Sequence, residues 1–249
     1  MTTTRVDAPS RFGLPLRPLG LAASAALFGG GALLLALATR VVIPALVSAT
    51  GAEPVVMWFV AASTVVFAPL LLVAALLLRR ERSAAVEPWS WRARLRLRAM
   101  NGADWAWSLA GLLAVSASTG GLAGALAMLG QRRLQPAFMA FAPLTAGRYW
   151  ILAAWLPFFA LNILGEEFVW RGVVLPRQEA AFGRAAWLVN GVLWLLFHAA
   201  FPWQVLVMLV PIALILPAIA QRRRSTWPGV VIHAVFGGIG FLALAFGLA

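Results

Sequence analysis

Residues 162–172 read Asn-Ile-Leu-Gly-Glu-Glu-Phe-Val-Trp-Arg-Gly, and they place two adjacent acids at the end of a strongly apolar run. The whole chain has only eight Asp and Glu residues, so the pair formed by Glu166 and Glu167 stands out. A carboxylate at membrane depth is costly unless it is paired, hydrated or protonated. We therefore interpret this stretch as a candidate functional site inside a membrane helix.

Glu167 and Arg171 stand four residues apart with the acid first, which is the favourable order for an ion pair on one helix face. On a regular α-helix, Glu166 points about 100° away from Glu167 and about 140° away from Arg171. The spacing therefore predicts that Glu167 is held by its own helix, while Glu166 is free to face a neighbouring helix.

Composition predicts an all-α, polytopic helical membrane protein. Hydrophobic residues make up 62% of the 249 positions, charged residues make up 11%, and the mean hydropathy is +0.89, which together demand several membrane spans. The net charge of +12 comes from arginines between apolar runs, so anionic lipids explain it better than nucleic acid does. The chain has no cysteine, which excludes disulfides and thiolate chemistry.

After a cytoplasmic leader at residues 1–18, the apolar runs predict about seven transmembrane helices in one domain, residues 19–249, with a motif-bearing core at about 149–249. The predicted spans are 19–47, 54–78, 105–129, 149–175, 185–201, 203–220 and 227–249. Sixteen of the twenty arginines lie on one side of these spans. The positive-inside rule therefore predicts a multi-pass protein of the inner membrane with its N-terminus inside and its C-terminus outside.

The longest polar region, residues 83–100, contains a stretch at 91–98 in which apolar residues alternate with arginine. One interpretation is an interfacial segment that lies on anionic lipid. The other, which we favour, is an ordinary positively charged cytoplasmic loop. Four tryptophans near predicted span ends fit the pattern of interface anchors, namely Trp170, Trp187, Trp203 and Trp227.

The only two histidines of the chain, His198 and His233, both lie inside predicted spans. A lone histidine on an apolar helix is more often a packed residue than a catalytic one, but two histidines together with a glutamate pair favour a chemical role. At 1.5 Å per residue, both lie roughly 12–15 Å below the cytoplasmic surface, and Glu166 reaches a similar depth. This arithmetic allows the three side chains to meet in one polar pocket.

The EExxxR motif at 166–171 resembles the first motif of the CPBP family, which comprises intramembrane CAAX-processing proteases and bacteriocin-processing relatives. The family's second motif is an aromatic residue, usually Phe, four positions before a histidine, and Trp194 precedes His198 by four. Its third motif is a histidine four positions before an Asn or a similar residue, and His233 is followed at that distance by Gly237. The resemblance covers roughly residues 155–238.

The resemblance implies that Glu166, together with His198, activates a water molecule for attack on a peptide carbonyl. It also implies that His233 stabilises the developing oxyanion, with help from a donor at the position of Gly237. Glycine has no such donor, and loss of one oxyanion donor typically costs about 10²–10³ in rate. The chain is then a slow enzyme, or it recruits another donor such as Asn190 or Asn162, or it is a degenerate member.

The glutamate pair and the two histidines favour an intramembrane endopeptidase that hydrolyses a peptide bond of a membrane-embedded or membrane-bound substrate. The supporting residues are Glu167, Arg171, Trp194 and Gly237. Two alternatives stay open: a non-catalytic relative acting in bacteriocin self-immunity or as a membrane scaffold, which Gly237 supports, and a transporter or proton relay.

No cofactor is expected, although a glutamate and two histidines suffice as ligands for zinc. The HExxH spacing that would make zinc a strong prediction is absent, so a metal stays unassigned. Besides the substrate, the expected partners are anionic lipids, and nucleic acid is not expected.

Overall fold

The computed structural model describes residues 16–84, 89–131 and 134–248, and within these ranges the regular structure is entirely helical. Six helical stretches of the described residues are long and apolar enough to cross a membrane. They are Leu21–Thr50, Pro54–Ser83, Gly102–Met128, Ala146–Phe197, Trp203–Arg223 and Trp227–Ala245. The prediction of an all-α, multi-pass membrane protein is therefore confirmed.

The α-helices are numbered along the chain. They are α1 (Leu21–Leu37), α2 (Ile43–Thr50), α3 (Pro54–Ala61), α4 (Ala68–Ser83), α5 (Trp91–Arg94), α6 (Gly102–Met128), α7 (Trp150–Glu167), α8 (Leu175–Phe182), α9 (Ala186–Phe197), α10 (Trp203–Arg223) and α11 (Trp227–Ala245). Three π-helical segments join successive α-helices without a break, and they are Ala38–Val42, Ala62–Phe67 and Phe168–Val174.

Hydroxyl side chains of the same helix support the first two π-helical segments. Thr39 Oγ1 donates to the carbonyl oxygen of Leu35 at 2.8 Å. In the second segment, Ser63 Oγ donates to the carbonyl oxygen of Phe59 at 2.7 Å. Such bonds to the preceding turn are a common response of serine and threonine in apolar helices. Both segments are thus supported by residues close to them in sequence.

One of the six stretches, Ala146–Phe197, contains the fourth predicted span and most of the fifth. As one straight helix its 52 residues would measure about 78 Å, more than twice the roughly 30 Å of a bilayer core. The chain instead turns at Gly183, whose φ of 57° glycine readily adopts, and α9 packs against α8. At 12 residues, α9 is too short to cross the core alone. The described residues thus contain six helices long enough to span, where we predicted about seven.

The orientation of the bundle and its cytoplasmic leader stay predictions, and residues 1–15 of that leader lie outside the described residues. The ends of the helices do agree with the predicted alternation of loops. Arg148, which precedes α7, donates through Nε to Glu53 between α2 and α3 at 2.8 Å. At the same end, Gln204 at the start of α10 donates to Gln131 beyond α6 at 2.8 Å.

Residues 89–98, which we call the strap, lie at the other end of the bundle. The strap buries Leu95 and Leu97, whose exposed fractions are 4% and 6%. The carbonyl oxygen of Leu95 also accepts a hydrogen bond of 2.7 Å from Thr226 Oγ1, just before α11. The strap is therefore packed into the helix bundle and is not a free connection between α4 and α6.

Three arginines of the strap bind acids that lie on other helices. The pairs are Arg94 with Glu81 of α4 at 2.7 Å, Arg96 with Glu179 of α8 at 2.6 Å, and Arg98 with Asp104 of α6 at 2.6 Å. These arginines fit neither of the two interpretations from the sequence, a segment lying on lipid or an ordinary loop, because they pair with carboxylates of the protein. Trp91, Arg92 and Ala93 at the beginning of the alternating stretch and Arg98 at its end are exposed, whereas Arg94 and Arg96 are partly buried.

Trp170 lies in the core and not at a membrane interface. Its side chain is 0% exposed, and its ring stacks on Phe28 of α1 with the centroids 4.1 Å apart. The ring of Phe197 is 5.5 Å away on α9. The prediction of an interface anchor is wrong for this residue, because α1 and α9 cover this part of the chain.

Candidate active site

Three elements bring the candidate site residues around one cavity of about 200 Å³. Glu166 and Glu167 end α7, Trp194 and His198 lie at the C-terminal end of α9, and His233 lies in α11. The residues that line the cavity include Asn162, Glu166, Trp194, His198, His233 and Gly237. The remaining walls are mainly apolar, whereas the sequence had led us to expect a polar pocket.

Glu167 is buried and holds two neighbours. Its Oε1 accepts a hydrogen bond from Arg171 Nη1 at 3.1 Å, and both side chains are 0% exposed, which is the pair that the i,i+4 spacing predicts. The same oxygen lies 3.0 Å from His233 Nδ1, a contact that we did not predict. The other oxygen, Oε2, faces Gly229, where an added Cβ would lie only 2.5 Å from it. Glu167 therefore ties the segment after α7 to α11.

Arg171 also contacts the ring of Trp194. Its guanidinium carbon lies 4.4 Å from the ring centroid, in the geometry of a cation–π interaction. Within the described residues, Arg171 Nε and Nη2 have no hydrogen-bond partner. The aromatic face therefore supplements Glu167 in accommodating the buried positive charge.

Glu166 has a different partner from Glu167. Its Oε2 accepts a hydrogen bond of 2.6 Å from the indole Nε1 of Trp194. Glu166 belongs to no ion pair among the described residues, although Glu53, Glu81, Asp104, Glu167 and Glu179 each do. The sequence identified Trp194 only as the aromatic residue of the second motif. The one available signal was the residue type, since an indole has a donor and a phenyl ring has none.

His198 is held by the backbone of its own helix. Its Nδ1 lies 2.9 Å from the carbonyl oxygen of Trp194, and a carbonyl only accepts, so Nδ1 carries the proton. The neutral ring then has a lone pair on Nε2 with which to accept a hydrogen bond. Edge contacts with Trp194 and Phe197, at centroid distances of 5.0 and 4.8 Å, fix the plane of the ring.

His233 is oriented by Glu167 in the same way. The ionised carboxylate only accepts, so Nδ1 of His233 donates to it, and Nε2 becomes a second donor when the ring is an imidazolium. The edge of this ring contacts Trp194, with the centroids 5.7 Å apart. Trp194 thus contacts both histidines.

The third π-helical segment, Phe168–Val174, directly follows the two glutamates. The carbonyls of Trp170 and Gly172 accept hydrogen bonds from other elements, from Asn190 Nδ2 at 3.2 Å and Arg94 Nη1 at 2.9 Å. The carbonyl of Val173 accepts from Arg177 Nη1, four residues further on, at 2.6 Å. The sequence predicted a regular α-helix here, so the angle that it gave between Glu166 and Arg171 is wrong. Single π-helical turns are frequent at functional sites.

The two asparagines considered as replacement oxyanion donors lie in different places. Asn162 lines the cavity, one turn before Glu166 on α7. Asn190 is 0% exposed and donates to Gln178 as well as to the carbonyl of Trp170. Since Asn190 does not line the cavity, Asn162 is the better positioned of the two.

The described residues contain no group of three His, Asp or Glu side chains that could hold a metal ion. Each candidate ligand also already has a protein partner on one atom, namely Trp194 on Glu166, the Trp194 carbonyl on His198, and Glu167 on His233. The donor set therefore does not form a preassembled metal centre.

The family model of the type II CAAX prenyl endopeptidase Rce1-like proteins matches residues 148–239. This segment is Rce1-like. The match confirms the resemblance to CAAX-processing proteases that the motifs predicted, and it lies within a multi-pass helical chain. No curated protein and no solved structure matches the chain.

The Rce1-like segment contains Asn162 and the three titratable residues of the cavity, Glu166, His198 and His233, but it does not build the cavity alone. Leu35 of α1 and Val66 and Phe67 of the second π-helical segment form part of the wall. The strap, which binds the carbonyls of Gly172 and Val173, also lies outside the matched residues. The N-terminal helices thus support a candidate site whose titratable side chains lie in the Rce1-like segment.

Proposed function

We propose that this protein is an intramembrane endopeptidase in which Glu166 activates the water molecule that hydrolyses a peptide bond. The observation that carries the proposal is the setting of Glu166. Among the acids of the described residues it alone belongs to no ion pair and accepts only from a neutral donor, and it shares a cavity with both histidines of the chain. A carboxylate without a cationic partner inside an apolar cavity suits general-base catalysis.

In the proposed reaction, Glu166 takes one proton from water while the water oxygen bonds to the peptide carbonyl carbon. His198 accepts a hydrogen bond from that water through Nε2 and orients it. His233, as an imidazolium, donates through Nε2 to the oxyanion that forms. The carbon–nitrogen bond then breaks, and the proton held by Glu166 passes to the leaving nitrogen, which gives a carboxylic acid and an amine. This sequence uses no cofactor and no metal.

Asn162 is the proposed source of the oxyanion donor that Gly237 cannot supply. Its side-chain amide lines the cavity together with Glu166 and His233, so it supplies a second donor for the oxyanion. A larger residue also fits at Gly237, because an added Cβ there would have Ile163 Cδ1 as its nearest neighbour, at 4.0 Å.

The proposed substrate is a membrane-embedded or membrane-bound peptide or protein, and the proposed location is the inner membrane. The mainly apolar walls of the cavity favour an uncharged side chain next to the bond that is cleaved. Exposed arginines near the strap, Arg79, Arg80, Arg82 and Arg92, favour anionic lipids as further partners. Nucleic acid is not a proposed partner.

A non-catalytic role in bacteriocin self-immunity or as a scaffold is the second candidate function. It is favoured by Gly237, since the third motif has no donor side chain there. An endopeptidase produces new peptide termini in the membrane, whereas a non-catalytic protein does not.

The test compares new peptide termini, by mass spectrometry, in membranes of cells that express the wild type or Glu166→Gln. Glutamine still accepts a hydrogen bond from Trp194, so the variant should fold while cleavage falls by about 10²–10⁴. Glu179→Gln, at the strap, is the matched control and should keep its cleavage products. Gly237→Asn should raise the rate, and a chelator should not change it.

Two results would contradict the proposal. If Glu166→Gln cleaves as the wild type does, Glu166 is not the general base. Absence of cleavage by the wild type, unimproved in Gly237→Asn, would favour the non-catalytic role.

A further inference from the structure

Trp194 contacts more members of the candidate site than any other residue described above. Its Nε1 donates to Glu166 at 2.6 Å, and its carbonyl oxygen accepts from His198 at 2.9 Å. Its ring lies under Arg171 and touches the edge of His233. Resting on the proposed function, we propose that Trp194 is a positioning residue, which fixes the carboxylate of Glu166 and the ring of His198 against the same water molecule.

The indole itself has little freedom to move. The side chain is 1% exposed, Arg171 lies over one face at 4.4 Å, and both histidines contact the ring at centroid distances of 5.0 and 5.7 Å. A donor held from several directions fixes the carboxylate that it binds. With Oε2 of Glu166 engaged in this way, Oε1 is the oxygen that remains for water.

A neutral donor suits this position better than a cation would. A guanidinium beside a carboxylate stabilises its anion and weakens it as a base, whereas an indole N–H orients the same group without adding a charge. A phenyl ring, which is usual in the second motif of the resembling family, would pack in the same place but offer no donor. The hydrogen bond is therefore a feature of this chain's tryptophan.

The chain offers a matched control in Trp170. It is also fully buried and packed on aromatic rings, but its Nε1 has no hydrogen-bond partner among the described residues. Trp194→Phe and Trp170→Phe thus remove the same atoms from two buried sites. Only the first variant removes a hydrogen bond to Glu166.

The experiment measures kcat and KM for both variants, with a cleaved peptide from the membrane comparison as substrate in liposomes. Trp194→Phe should lower kcat by about 10–100-fold, the effect of losing a hydrogen bond to a charged group. Its KM should stay within about twofold, since the donor does not bind substrate. Trp170→Phe should keep the kcat of the wild type. If Trp194→Phe does not fold, benzothienylalanine at position 194 replaces the N–H by sulfur and keeps the shape of the indole.

Infrared difference spectra between each protein and its Glu166→Gln counterpart give a readout that needs no activity. The band of Glu166 should shift in Trp194→Phe and stay in place in Trp170→Phe. An unshifted band, an unchanged kcat, or a change confined to KM would each overturn the positioning role. The proposed function fails separately, when the wild type does not cleave or Glu166→Gln still does, and the infrared band then decides alone whether Trp194 holds Glu166.

Discussion

Glu81, Glu179 and Asp104 at the strap end of the bundle each bind arginine, whereas Glu166 in the cavity accepts a hydrogen bond from an indole. The strap acids join helices that are distant in sequence, and their charges are neutralised. Glu167 is a buried version of the same arrangement, with Arg171 as its cation. In this chain, acids that join helices are thus paired with arginine, whereas the acid that we propose as the general base has no arginine partner.

The largest expected effect comes from removing the cation of the buried pair. Arg171→Ala leaves the carboxylate of Glu167 buried with His233 as its one hydrogen-bond partner among the described residues, and breaking a buried pair costs about 3–5 kcal/mol. The free energy of unfolding in detergent, measured with denaturant, should fall by that amount. Arg148→Ala breaks a more exposed pair at the other end and should cause a much smaller loss. Equal stability of Arg171→Ala and wild type would show that the pair is not structural.

The next effect comes from crowding Glu167 without changing any charge. In Gly229→Ala the added Cβ would lie 2.5 Å from Glu167 Oε2, so the carboxylate must shift away from Arg171 and His233. Overpacking of this kind costs about 1–3 kcal/mol, and cleavage should fall as well. Gly240→Ala in the same helix meets no atom within 4 Å and serves as the control in the same unfolding assay. A Gly229→Ala protein as stable and active as that control would contradict the close approach.

The smallest effect is expected at the strap. Arg94→Ala removes the pair with Glu81 and the bonds to the carbonyls of Gly172 and Val173. We expect a loss of about 1–2 kcal/mol in the free energy of unfolding, within the range for hydrogen bonds to charged groups near a surface. Arg92→Ala, two residues away and exposed, should change neither stability nor cleavage. If the two variants behave alike, the strap does not support the π-helical segment.

Local spacing was enough to predict some of these features. Glu167 and Arg171 are neighbours on one turn, so their pairing depends on little beyond the helix itself. The apolar runs likewise predict the spans, because an uncharged stretch of that length matches the thickness of the bilayer core. The meeting of Glu166, His198 and His233 in one cavity could only be called allowed, since it depends on how three separate elements pack.

Other features depend on contacts that no local pattern contains. Alternating arginines look the same whether they face lipid or protein, and the partner of Arg96 lies 83 residues away at Glu179. The contact between His233 and Glu167 spans 66 residues. The third π-helical segment has no sequence signal of its own, because its carbonyls are bound by Arg94 and Asn190 from other elements.

The π-helical segment Phe168–Val174 also sets the rotational phase of everything that follows it on the same helix. A π-turn holds one residue more than the α-turn it replaces, and one residue corresponds to about 100° of rotation. Were the segment rewound as regular α-helix with all its residues kept, α8 would turn by about that angle and shift along its axis. Arg177 and Glu179 would then face away from Glu81 and Arg96. The wider π-turn accommodates the extra residue and so keeps the glutamates toward the cavity and α8 toward the strap.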